Sequence, residues 1–295
     1  MSFNDNVNLD TSQVSPGGGR GPGLKIGGGI GGLLIVVVGL FLGVDLTGVT
    51  GGGDPGVGAA PESPSTLSEK CRTGADANRD VECRVVGTVN SVQAYWSEAL
   101  PRYGRDYPPA KTTVYTGQTQ SACGTASNAV GPFYCPTDKK IYIDASFFDQ
   151  LTTRFGADDG ALAQEYVVAH EYGHHVQDVL GLLDEAQKDP QGAESGAVRV
   201  ELMADCLAGM WAKGAASTQD AKGITFLKPL TEQDIASALS AASAVGDDRI
   251  QEKVQGRVNP EAWTHGSAAQ RQRWFTTGYA KGDLRACDTF AAKAL

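Results

Sequence analysis

Histidine is scarce here: the 295 residues include only four, His170, His174, His175 and His265. Any histidine-based chemistry must be built from that short roster. No C-x-x-C pair occurs, which argues against a zinc ribbon or a thioredoxin-like redox site. There is no basic excess either. The formal net charge is -9 and the pI about 5.0, and no basic stripe overrides the acidic balance. Phosphate backbones are repelled by such a surface, so nucleic acid is not expected as a partner. No internal repeat is visible, and only one long apolar run interrupts an otherwise ordinary globular composition.

Six cysteines are present, Cys71, Cys83, Cys123, Cys135, Cys206 and Cys287, with none before residue 71. An even number confined to the later part of the chain suits three disulfides in an oxidising compartment better than buried thiols. Residues 1–25 are polar and glycine-rich and are predicted to stay unfolded, on the cytoplasmic side. Residues 26–44 carry no charge. As a helix this run would span about 28 Å, close to the hydrocarbon thickness, so one transmembrane helix is expected. Arg20 and Lys25 precede it and Asp45 and Asp54 follow it, which predicts a cytoplasmic N-terminus and an extracytoplasmic remainder. Two readings compete. In a cleaved signal peptide, Leu33 to Val44 would be the apolar core, although the small-residue site Gly58-Ala59-Ala60 is followed by Pro61. A buried core helix fits poorly beside so much glycine. Residues 45–66 read as a flexible linker, and residues 67–295 as the folded domain.

Within that domain Val85, Val89, Val92, Trp96 and Leu100 recur at helical steps. TTVYTG and Lys140–Asp144 read as strands, with a turn over Pro136–Lys139 between Cys135 and the second strand. Strands followed by helices predict an α+β fold, mainly helical with a small sheet.

The chemistry concentrates in one predicted helix, capped by Asp158 or Asp159 and ended by Gly181. It contains His170-Glu171-Tyr172-Gly173-His174, an H-E-x-x-H motif. Residues four apart are about 40° apart around a helix, so both imidazoles can reach one zinc ion. Glu171 can then reach a water on that ion without becoming a ligand. Apolar residues cover the rest of this helix, and buried histidines and carboxylates are costly unless paired or coordinated. His175 points away and is expected to pack, as is Tyr172. A third ligand is needed. The extended pattern H-E-x-x-H-x-x-G-x-x-H is excluded, because Gln177 and Leu180 stand where Gly and His would be. The next helix, residues 192–214, carries Glu201 and Asp205 on one face. Glu201 is the expected ligand, with Asp205 behind it to orient a ligand histidine. Asp205 itself, Glu194 and His265 remain alternatives.

Several blocks in order resemble the bacterial membrane-anchored neutral zinc metallopeptidases: GGGIGGLLIVVVGLFLGVD, CGTASNAVGPFYCPTDKKIYID, VVAHEYGHHVQ, RVELMADCLAGMWA, THGSAAQRQRWF and ACDTF. The resemblance spans nearly the whole chain. It implies a zincin-like domain, Zn2+ as cofactor, a peptide or protein substrate, and Glu201 as third ligand with Asp205 behind it. It further implies a single-pass bacterial membrane protein with its domain outside. On this reading Glu171 is the general base and His265 a donor to the oxyanion. Strand Lys140–Asp144 is expected to receive an extended substrate by β-addition. The competing function is a non-catalytic, zinc-stabilised module that binds envelope components. Of the fifteen pairings that six cysteines allow, Cys71–Cys83, Cys123–Cys135 and Cys206–Cys287 are expected. The last would tie the C-terminal tail to the Glu201 helix.

Overall fold

The computed structural model describes residues 2–17, 64–127 and 130–295. In chain order the elements are β1 (Val14–Pro16), α1 (Pro64–Lys70), α2 (Gly74–Ala77), α3 (Val81–Ala99), β2 (Lys111–Tyr115), β3 (Gln118–Ser121), β4 (Gly124–Ser127), β5 (Phe133–Cys135), β6 (Lys140–Asp144) and α4 (Phe147–Thr153). Then follow α5 (Ala161–Leu180), α6 (Glu185–Lys188), α7 (Gly196–Gly214), α8 (Glu232–Ala244), α9 (Asp247–Gln255) and α10 (Ala268–Lys281). The result is the expected helix-rich α+β arrangement with small sheets.

Helices α5 and α7 form the centre, and both are buried on nearly every face. Their close approach depends on Gly173. A Cβ there would lie 3.0 Å from the backbone of Ala204, so a larger residue would push the two helices apart. Helix α10 crosses α7 even more tightly, since a Cβ on Gly278 would fall 1.8 Å from the carbonyl oxygen of Cys206. Glycine costs helix stability, and here it allows backbones to touch.

The main sheet has the order β1-β2-β6-β5, with β1, β2 and β6 parallel and β5 antiparallel to β6. This corrects one expectation. Strand Lys140–Asp144 forms as predicted, but it is paired on both sides, so its backbone is not free to take a substrate strand. Among the described residues the end strand on that side is β5.

A second correction concerns residues 1–25. Over residues 2–17 this segment is built into the domain rather than unfolded. Phe3 and Val7 are fully buried, and the Phe3 ring fills the space that a Cβ on Gly87 would need. Asn4 Nδ2 donates to the Thr225 carbonyl at 2.8 Å. The Asp10 N–H donates to Asn90 Oδ1 at 2.8 Å, and Asn90 Nδ2 returns a bond to the Asp10 carbonyl at 3.0 Å. Low hydrophobicity prevents such a segment from folding alone. It does not prevent a few apolar residues from docking in a groove made by the rest of the chain.

The expected transmembrane helix, residues 26–44, lies outside the described residues, as does most of the expected linker. The end of that linker is already helical in α1. Among the described residues no helix is long and apolar enough to cross a membrane. The packing of residues 2–17 bears on topology. A single crossing between them and residue 64 would put the two parts on opposite sides of a bilayer, yet they share one core. The expected cytoplasmic N-terminus with an extracytoplasmic domain would separate Phe3, Val7 and Val14 from the core in which they are buried.

All six cysteines are paired as expected, Cys71–Cys83, Cys123–Cys135 and Cys206–Cys287.

Candidate metal centre

Helix α5 starts after Gly160, not at Asp158 or Asp159, and Gly160 offers no side chain to cap it. It ends at Gly181 in the left-handed conformation, φ 74°. Helix α7 is capped by Ser195, whose hydroxyl accepts from the Val198 N–H at 3.2 Å. This start is four residues later than the predicted 192.

One turn of α5 brings His170 and His174 together, with ring centroids 4.8 Å apart. Glu201 of α7 faces both. Its Oε2 lies 3.2 Å from His170 Nε2 and its Oε1 lies 3.4 Å from His174 Nε2. Four ligands placed tetrahedrally at about 2.0–2.1 Å from an ion stand about 3.3 Å from one another. The two histidine–glutamate distances already have that spacing, and the three donors lie within 4.8 Å of one another. Among the described residues one other such cluster occurs, Cys71–Asp80–Cys83, but its sulfurs are joined in a disulfide.

The far nitrogens settle the tautomers. His170 Nδ1 lies 2.9 Å from Asp205 Oδ1, and His174 Nδ1 lies 2.8 Å from Gln177 Oε1. The Gln177 amide is itself oriented, because its Nε2 donates to the Val200 carbonyl at 2.6 Å. Both Nδ1 atoms therefore face acceptors and carry protons. That leaves both Nε2 atoms aimed at a carboxylate, an arrangement that demands positive charge in the middle, whether a proton or a cation. Burial alone would raise Glu201, but the imidazoles of His174, His265 and His170 hold it well below the usual carboxylate range. Burial would likewise lower His170, yet Asp205 and Glu201 push it up to about 10. Burial dominates at His174, which falls to about 4. The cluster asks for one positive charge, and a divalent cation suits these three donors.

Asp205 is fully buried and saturated. Besides His170 it accepts from the Tyr166 hydroxyl at Oδ1, from Arg271 Nη2 at 3.0 Å and from Arg271 Nε at 2.8 Å. It is thus an orienting carboxylate and not a further donor to the same ion. His175 is turned away, with Nε2 2.7 Å from the Pro108 carbonyl and Nδ1 3.2 Å from the Tyr134 hydroxyl. Tyr172 packs in the core beside Thr112.

Glu171 has no part in the donor cluster. It lines the cavity in front of it, together with His265 and Arg271. His170, Glu171, His174 and Glu201 are each 7–8% exposed, buried but not sealed from that cavity. Burial, with Glu201 nearby, pushes the Glu171 carboxyl up to about 7. His265 stands in the loop before α10, wrapped around Asp247. Asp247 Oδ2 accepts from the N–H groups of Thr264 at 2.7 Å, His265 at 2.7 Å and Gly266 at 3.0 Å. Its Oδ1 lies 3.3 Å from His265 Nδ1. Burial works against a proton on His265, but the carboxylates of Glu201 and Asp247 outweigh it and raise its pKa.

The structure thus brings His170, Glu171, His174, Glu201, Asp205 and His265 to one place. Glu194 lies outside the cluster. Sequence reasoning missed Arg271 and Asp247. Arg271 lies within the quoted THGSAAQRQRWF block, four residues after the Ser267 cap, which was a usable signal. Asp247 carried none.

Two histidines from one helix and a glutamate from the next form a group that could hold a metal ion, with the carboxylate of Glu171 lining the cavity beside it, the arrangement of an H-E-x-x-H site. The profile of the family described as "Putative neutral zinc metallopeptidase" matches residues 2–290, and the chain belongs to that family. It is 56% identical over 234 residues to an uncharacterized protein of Mycobacterium tuberculosis, covering 79% of this chain and 78% of that one. A protein of Mycobacterium bovis matches equally, again 56% over 234 residues. The uncharacterized protein YpfJ of Escherichia coli is 36% identical over 294 residues, covering 96% of this chain and 95% of its own. No solved structure matches.

Proposed function

We propose that the protein is a zinc-dependent endopeptidase, with the ion held by His170, His174 and Glu201. The observation that carries this reading is an open donor set: three donors at ligand spacing whose remaining side is a cavity lined by Glu171 and His265. A purely structural zinc site is usually closed by a fourth protein ligand and needs no base. When bound, zinc supplies a Lewis acid and lowers the pKa of a water toward about 7. Glu171 takes a proton from the attacking water as its oxygen bonds to the scissile carbon. It then hands that proton to the amine nitrogen as the C–N bond breaks. His265, whose proton the carboxylates of Glu201 and Asp247 favour, donates to the oxyanion. Asp205 and Gln177 hold the two ligand rings in their tautomers, and Arg271 holds Asp205. The end strand β5, not the doubly paired β6, is where an extended substrate would add to the sheet.

Three disulfides support a location outside the cytoplasm, at the outer face of a bacterial membrane that the apolar run 26–44 would contact. The N-terminal residues 2–17 go with the domain.

The test joins metal content to turnover. Purified protein should hold one zinc per chain and cleave casein or unstructured peptides. Glu171→Gln should keep its zinc and lose turnover by about 10²–10⁴-fold. Turnover that survives in the variant rejects the mechanism. Zinc without turnover on any peptide favours the non-catalytic binding module.

A further inference from the structure

The cavity in front of the metal donors has a second wall that the reaction does not use. Val130, Phe133, Phe147, Phe155, Val167 and Ile250 line it. Val167 lies on α5 one turn before Glu171, so this wall begins beside the general base. Phe133 comes from the end strand β5 and is backed by Tyr142, stacked at 5.0 Å. Phe147 and Phe155 flank α4 with ring centroids 6.2 Å apart. Val130, Phe133, Phe147, Val167 and Ile250 retain 7–8% exposure each, and the cavity they line accounts for it.

Apart from Glu171 and His265, which the reaction uses, charge in the lining is already committed. Asp247 is held by three backbone N–H groups. Arg271 is held by Asp205, and Glu201 faces both ligand histidines. A charged substrate side chain entering here would lose water and find no ion partner, whereas an apolar one would gain by leaving water. The whole cavity, the space before the metal donors included, measures about 110 Å³, of the same order as the roughly 150 Å³ apolar cavity that takes up one benzene molecule. That is room for one bulky side chain.

We propose that this wall selects the residue next to the scissile bond, so that substrates are peptides carrying a bulky apolar residue there: Phe, Leu, Ile or Met. The inference rests on the metallopeptidase reading, and a binding measurement separates the two. Hydroxamates that differ only in side chain (benzyl, isobutyl, methyl, carboxymethyl, aminobutyl) are titrated into the zinc-loaded full chain by calorimetry. The benzyl and isobutyl compounds should bind at least about tenfold more tightly than the methyl and charged ones, in line with what apolar pockets discriminate. Val167→Thr, nearly isosteric, should shrink that ratio several-fold with zinc content and melting temperature kept. Phe147→Ala should shrink it further. Equal affinities, or tighter binding of a charged compound, would overturn the apolar preference even if Glu171-dependent turnover stands. Failure of every hydroxamate to bind would overturn both readings.

Discussion

His170 Nδ1 and Asp205 Oδ1 lie 2.9 Å apart, both buried, on two helices whose backbones meet at Gly173. The contact fixes which ring nitrogen carries the proton and so which one faces the metal position. Asp205→Asn could present its amide N–H instead and favour the opposite tautomer. Zinc affinity should fall about 10–100-fold, measured by competition with a chromogenic chelator, with little change in helix content.

Arg271 and Asp205 form a buried, doubly hydrogen-bonded pair. Removing one partner of such a pair strands the other charge. Arg271→Met should therefore cost about 3–5 kcal/mol in denaturant unfolding. Arg271→Lys keeps the charge but not the fork, and should recover only part of the loss.

Glu165 lies on the opposite side of α5 from the metal donors, buried, and among the described residues neither of its oxygens has a hydrogen-bond partner. Burial pushes its carboxyl up from 4.5 to about 7, and Arg84 only partly opposes this. The folded state thus holds this proton more tightly than the unfolded state does. No penalty exists below pH 4.5; it grows between there and pH 7 and is complete above. Glu165→Gln should leave stability unchanged near pH 4 and raise it above pH 7 by on the order of 3 kcal/mol. Thermal melts across pH check this; a gain that does not depend on pH would contradict it.

Residues 2–17 and the domain should sit on the same side of the membrane. Single cysteines at Asn6 and Lys293, both exposed, should label together or not at all with an impermeant maleimide in intact cells. Labelling of one alone would contradict the packing. Phe3→Ala should destabilise the domain by about 3–5 kcal/mol, as for other fully buried phenylalanines.

Sequence alone determined what depends on neighbours along the chain. The spacing of His170, Glu171 and His174 sets their relation on any helix. The β-branched and aromatic run Ile141-Tyr142-Ile143 marks a strand, and Gly181 ends α5. Glu201 was legible too, because a buried helix with acidic residues on one face needs a reason for them. The pairing Cys206–Cys287 was an expectation among fifteen, decided only by the tertiary fold. So was the order of strands, which makes β5 the end strand and places β6 inside. Asp247 beneath His265, Arg271 behind Asp205 and Phe3 against Gly87 join residues 18, 66 and 84 positions apart. No periodicity encodes such pairs, because side-chain spacing reports which face a residue occupies. What meets that face is set by how the helices and strands pack.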